Sequence, residues 1–283
     1  MDYRIIDLHT HTTESDGSFT PEELIAEAKR AKLSAIAITD HDTIAGIKKA
    51  KVAASNNNIE LIPGIELSTD YNGKEIHVVG LYIDIENEYF LSKLTEFKNC
   101  RDNRNELIVE NLQKEGFDIT MEALKADNPD CVITRANIAR FLYEHAMIPS
   151  IQTAFEKYIG DNCKCFVNRF KITPMDAVRL IKEADGTAIL AHPLLYHLSD
   201  STLQTLVDEL KDAGLDGIEA IYCTYTPAEE RQMKQFAREN GLLISGGSDF
   251  HGTTKPKLNL GTGYGKLYVP YEVLENIKNS RNQ

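Results

Sequence analysis

The chain has 283 residues, 42% hydrophobic and 26% charged, enough for one large core or for a barrel with a sizeable insertion. No run approaches the roughly 18 apolar residues a spanning helix needs, and Asp2-Tyr3-Arg4 leads straight into a strand-like segment, so a cytoplasmic protein without membrane contact is expected. A net charge of −12 excludes capture of duplex nucleic acid or acidic membrane by the surface as a whole, and an anionic substrate would need a local positive field.

Short β-branched runs alternate with helical patterns, as in repeated βα units. The first strand candidate is Arg4–Leu8, followed by a helix start at Thr20-Pro21-Glu22-Glu23; strands follow at Ala35–Thr39, Glu60–Ile65 and Ile76–Tyr82. About a hundred residues dominated by helical periods come next, with a long charged helix over Glu88–Glu115 and a second helical segment over Thr134–Ala146, where Ile138, Phe141 and Leu142 share a face. Further strand candidates are Thr187–Ala191, Gly217–Tyr222 and Leu242–Ser245, with helix starts at Thr173-Pro174-Met175-Asp176 and Thr226-Pro227-Ala228-Glu229. In each of the three starts Thr can cap, Pro occupies a position where its missing N–H costs nothing, and an acid faces the positive helix end. The expected organisation is α/β: residues 1–85 as the first part of a barrel, 86–169 as a helical insertion, and 170–283 as the second part. An insertion after a barrel strand emerges on the ligand-binding face, where it can cap a site.

The five cysteines are odd in number and scattered, so reduced thiols are expected. Cys163-Lys164-Cys165 lacks the usual spacing and the second ligand pair of a structural zinc site.

The chemistry gathers at strand ends. Asp7-Leu8-His9-Thr10-His11 closes the first strand and puts two imidazoles on one side of extended backbone, a chelating geometry. The second strand ends in Thr39-Asp40-His41-Asp42, the third in Gly64-Ile65-Glu66; the fourth carries His77, the fifth ends in Ala191-His192-Pro193 and the seventh in Ser248-Asp249-Phe250-His251. In a parallel barrel these ends, His77 set aside, converge on the C-terminal rim. Asp16 follows in the loop after His11, where it either joins the group or forms a turn before Gly17. Imidazole with carboxylate suits zinc, manganese or iron(II), and a set this large exceeds the needs of one tetrahedral ion. Three divalent ions against three carboxylates leave a local charge of roughly +3, which would draw an anionic phosphate into an acidic protein. Paired ions can bridge an activated hydroxide, hold phosphate oxygens and stabilise the leaving alkoxide.

His9-x-His11, Asp40-His41, His192 and Asp249-x-His251, with Glu66 and His77 between them, resemble the motifs of the PHP family, named for the polymerase and histidinol phosphatase proteins that share it. In particular the chain looks like the small PHP phosphoesterases that act on nucleotides, including 3′,5′-nucleoside bisphosphate phosphatases and 5′-end trimming ribonucleases. The resemblance implies a distorted TIM-like (β/α)7 barrel with a trinuclear site. His9, His11, Glu66 and Asp249 would hold one metal; Glu66, His77 and His192 a second; Asp16, His41 and His251 a third. It implies a hydroxide held at Glu66, His9, His11 and Asp249, and a small phosphorylated substrate, a nucleotide or short oligonucleotide, whose phosphate meets Arg135 and Arg169. Each of these arginines could equally be a solvated surface residue. His145 and His197 are candidates for proton donation to the leaving group, or plain surface or core histidines.

Three other readings are open. One is another small-molecule phosphatase, for instance of histidinol phosphate. An amidohydrolase-like C–N hydrolase also begins with H-x-H, but no lysine of the fourth strand stands ready to bridge metals, and His251 would be surplus. A non-catalytic metal-stabilised scaffold would tend to lose ligands, whereas all nine positions are filled.

Overall fold

The structure is a computed structural model and describes residues 4–127, 133–168 and 172–282. Seven strands run in chain order around one sheet: β1 (Ile5–Asp7), β2 (Leu33–Ile38), β3 (Glu60–Tyr71), β4 (Lys74–Leu81), β5 (Thr187–Leu190), β6 (Gly217–Tyr222) and β7 (Leu243–Gly247). Backbone bonds from Leu8 to Gly246 and from Asp249 to His9 bring the last strand beside the first, so the sheet is a nearly closed barrel. All seven expected strands are present.

Their directions differ from a parallel barrel in one place. β4 runs antiparallel to both β3 and β5, while β1, β2 and β3 pair in parallel, as do β5, β6 and β7. The cause is local. Asn72 and Gly73, with φ of 54° and 80°, form a two-residue connection, the turn that joins antiparallel strands without splaying them. β3 therefore continues past the expected Ile65 into a hairpin instead of crossing back through a helix.

Helices α1 (Pro21–Arg30) and α2 (Ala45–Asn57) follow β1 and β2. Between β4 and β5 lie α3 (Glu88–Lys114), α4 (Met121–Asp127), α5 (Arg135–Glu144) and α6 (Ile151–Ala154). The chain then alternates α7 (Pro174–Glu183), β5, α8 (Asp200–Asp212), β6, α9 (Pro227–Glu239), β7 and α10 (Tyr271–Arg281). Thr20, Thr173 and Thr226 cap α1, α7 and α9, each accepting a backbone N–H three residues on; in α1 and α9 the glutamate returns the bond.

Ile6, Ala35, Ile62, Val79, Ile189 and Ile221, from six strands, meet in one buried cluster that fills the barrel interior and includes Leu274 and Ile277 of α10. α10 closes the end opposite the C-terminal rim: Tyr271 binds Glu60 at the start of β3, and Arg281 reaches Thr187 at the start of β5. A second cluster packs α7, α8 and α9 against β3 to β6, and a third packs α1 and α2 on β2. The helices between β4 and β5 bury their own group, including Ile108, Leu112, Ile138, Leu142 and Cys165. Among the described residues no helix is long and apolar enough to cross a membrane.

Candidate metal centre

At the C-terminal rim the strand ends turn inward. The backbone of Asp42, His192 and Asp249 adopts positive φ there, a conformation that non-glycine residues hold only when their surroundings over-determine it. His9 and His11 are fully buried where β1 leaves the barrel; Glu66 lies within β3, cross-linked to the end of β2 by Asp42 N–H donating to its carbonyl. His77 sits near the start of β4, and because that strand is reversed its start lies beside the ends of its neighbours. The hairpin thus brings His77 to the same rim.

Glu66 is the hub. Its Oε1 lies 3.3 Å from His9 Nε2, 2.9 Å from His77 Nδ1 and 3.2 Å from His192 Nε2; its Oε2 lies 3.4 Å from His11 Nε2 and 3.0 Å from His41 Nδ1. Asp249 Oδ1 faces His11 Nε2 at 3.1 Å and His9 Nε2 at 3.6 Å, and Asp16 Oδ1 faces His251 Nε2 at 3.3 Å. Donor atoms close enough to share an ion form four overlapping groups: His9, His11 and Asp249; His9, Glu66 and His192; His41, Glu66 and His77; and His11, Asp16, His41 and His251. The structure brings together all nine residues singled out in the sequence. The grouping differs in detail, since His77 and His192 fall into separate groups that share Glu66.

The donor set fits divalent cations on an observation independent of the motifs. His9 Nε2, both ring nitrogens of His11, His41 Nδ1 and His192 Nδ1 are buried without a hydrogen-bond partner. Such groups cost free energy when left unsatisfied, and a coordinated ion is the natural partner for an imidazole lone pair. Burial pushes His11 down to about 3 and His41 down to about 4, so both are neutral near pH 7, the state in which an imidazole can bind a cation. Burial opposes charge on Glu66 as well, yet His77, His41 and His9 hold its carboxyl well below the usual range.

Several residues at this site carried no assignment in the sequence. Glu219 of β6 is buried; its Oε1 lies 3.0 Å from His9 Nδ1 and its Oε2 accepts the His192 backbone N–H at 2.8 Å. This arrangement fixes the proton on His9 Nδ1 and leaves Nε2 facing the hub. The second oxygen of Asp249 is held by Tyr222 Oη at 2.7 Å and Lys255 Nζ at 2.6 Å. Asp40 accepts from Thr12 and Ser15 and so braces the loop that carries Asp16. The signal for Glu219 was a single acid in an otherwise apolar strand, because a buried charge requires a partner.

Of the nine cluster residues, Asp16, His41 and His77 are partly exposed and the others are buried. A cavity of about 140 Å3 meets these three, walled from the far side by Arg101 and Arg104 of α3 and Arg135 of α5. Arg101 is ion-paired with Asp42, next in sequence to His41. Arg135 bridges Glu75 (3.4 Å) and Asp161 (3.0 Å), and Glu75 in turn contacts His77 Nε2 at 3.2 Å. Arg169 lies outside the described residues. His197 is exposed, and His145 contacts Asp127 and Phe141 instead of the cluster. β4 does carry a lysine, Lys74, but its ammonium donates to the Tyr196 carbonyl. Among the described residues no cysteine belongs to a potential metal group.

The model of the PHP domain matches residues 7–172, more than half of the chain and including six of the nine residues above. The chain belongs to the PHP family. Among curated relatives of this PHP protein, the 5′-3′ exoribonuclease Rnm of Escherichia coli is 37% identical over 94% of this chain and 90% of its own length. A 3′,5′-nucleoside bisphosphate phosphatase of Chromobacterium violaceum is 32% identical over 87% of each chain. A solved structure from Bifidobacterium adolescentis, provisionally assigned as a metal-dependent phosphoesterase, superimposes with a TM-score of 0.85 at 28% identity, covering 98% of this chain and 96% of its own. The protein is a PHP phosphoesterase, a hydrolase of a metal-dependent family with a distorted TIM-like barrel.

Proposed function

We propose that this PHP protein hydrolyses phosphate monoesters of nucleotides, with nucleoside 3′,5′-bisphosphates, AMP or the ends of short oligonucleotides as substrates. Two or three divalent cations, of manganese, zinc or iron, would be held by His9, His11, Asp16, His41, Glu66, His77, His192, Asp249 and His251. When bound, these ions would supply Lewis acidity toward a phosphoryl oxygen and acidify a water molecule. Glu66, which has imidazoles facing both carboxylate oxygens, would be shared between ions. Arg135, and Arg101 and Arg104 beside it, would hold and orient the substrate phosphate through guanidinium forks; Arg169 is proposed for the same role by family resemblance.

The observation that carries this reading is the cavity itself, with candidate metal ligands on one wall and three arginines on the other. With ions bound the ligand wall would be cationic, and the arginines face it from the other side, in a protein whose net charge is −12. The names of the two nucleotide-acting relatives support the substrate class. We also take residues 86–169 as a unit inserted between barrel parts 1–85 and 170–283, supported by the separate buried cluster of α3 to α6. A cytoplasmic location suits the free cysteines of the described residues.

The test is phosphate release by protein reconstituted with Mn2+ on a panel of nucleoside bisphosphates, AMP, short oligonucleotides, histidinol phosphate and other small phosphate esters, run beside lactones and amides. Turnover of nucleotides that is abolished by chelation supports the reading. Turnover confined to C–N substrates, or to histidinol phosphate, would replace it.

A further inference from the structure

The cavity at the arginines, at about 140 Å3, is well below the roughly 300 Å3 at which pockets begin to enclose a drug-sized organic molecule. It can take phosphate but not a whole nucleotide, so the nucleoside of a nucleotide substrate would extend beyond it. A groove of about 880 Å3 runs alongside, between the barrel rim and α5. It touches Ser15 and Gly17 on either side of Asp16, and Thr253 and Thr254 just beyond His251, so it abuts the Asp16–His251 side of the cluster. Helix α5 serves both spaces: Arg135 at its start faces the small cavity, and Tyr143 near its end lines the groove.

We propose that this groove is a nucleoside subsite and that Tyr143 is the platform on which the base stacks, an assignment that rests on the nucleotide reading above. Tyr143 is 48% exposed, and Ile151 at 36% exposed lines the same groove, so large apolar surface is on offer within it. Aromatic faces of this kind hold bases of any sequence by stacking. The charges of the groove point to the uncharged part of the substrate. Glu14, Glu22, Asp127 and Glu144 line it against Lys49 and Arg140, and Lys49 is paired with Glu14 at 2.8 Å. Phosphate is disfavoured there and left to the arginine side, whereas base amines and ribose hydroxyls find acceptors. Phosphate and nucleoside are thereby sorted by charge: the anion goes to the arginines, the neutral moiety to the acidic groove.

The test compares kcat/KM on the better of AMP and adenosine 3′,5′-bisphosphate with kcat/KM on the same ribose phosphate lacking the base, for wild type, Tyr143→Ala and Tyr143→Phe in the Mn2+-loaded full chain. The ratio should fall about 5- to 100-fold in Tyr143→Ala, the range that loss of a base-stacking ring produces, with most of the change in KM. Tyr143→Phe should restore it. Circular dichroism checks the fold, which a half-exposed helical position is expected to keep. A wild type that hydrolyses both esters equally well, or a ratio unmoved by Tyr143→Ala, would overturn the subsite while leaving the phosphoesterase reading intact. A wild type that releases phosphate from neither would bring down both.

Discussion

His9 shows how a single residue is prepared for its work. Nδ1 is engaged by Glu219 and Nε2 is turned to Glu66, so the ring has one tautomer and one direction. Partners of this kind typically contribute a 10- to 100-fold factor in metal affinity. Glu219→Gln should therefore weaken metal binding by about that factor in a titration of the apo-protein, with activity recovering at high Mn2+; unaltered affinity would assign Glu219 to packing alone. The nine cluster residues were legible because imidazoles and carboxylates at strand ends are unusual in combination. Arg101 and Arg104 were not, because they stand among many charges on α3, where arginine ordinarily means a solvated face. Burial of that face beside Asn105 and Ile108 makes them different, and burial is a tertiary property.

Elements place these residues through close backbone approach. At Gly247, near the end of β7, an added Cβ would lie 2.5 Å from His9 Cβ and 2.6 Å from its backbone nitrogen. Gly247→Ala must push β7 away from β1, at a cost of about 1–3 kcal/mol. It should also lower kcat by about 100-fold or more through displacement of His9. Thermal melting and steady-state kinetics report the two effects, and wild-type kinetics in a folded variant would refute the placement. Helix starts give a milder test. Thr226→Ala should cost about 1 kcal/mol by removing the cap of α9. The backbone and hydroxyl of Thr226 hold the Glu229 carboxyl below its ordinary value of 4.5, so its contribution is present above that pH and lost as pH falls through the lower folded value. The melting gap between wild type and Glu229→Gln should accordingly be steady from pH 8 to about 5 and close in stronger acid. These caps were readable from Thr-Pro and a following acid. The reversal of β4 was signalled too, by Asn72-Gly73 between two strands, but alternating βα units suggested a crossover instead.

For the whole molecule the barrel provides the candidate ligands, and the segment between β4 and β5 provides the three arginines that face them. Neither alone makes the cavity. The Arg101–Asp42 and Arg135–Glu75 ion pairs tie the two together within reach of His41 and His77. Strand existence and order follow from local composition, which is why the fold class was legible from the chain, while the docking of α3 and α5 over the rim depends on pairs more than fifty residues apart. The central claim is that side chains from distant positions serve shared cations around Glu66. Anomalous diffraction from crystals grown with Mn2+ tests it most directly: at least two peaks are predicted within coordination distance of Glu66, His9, His11, His41, His77, His192 and Asp249. A map with the imidazoles dispersed, or with no anomalous peak beside Glu66, would contradict the account.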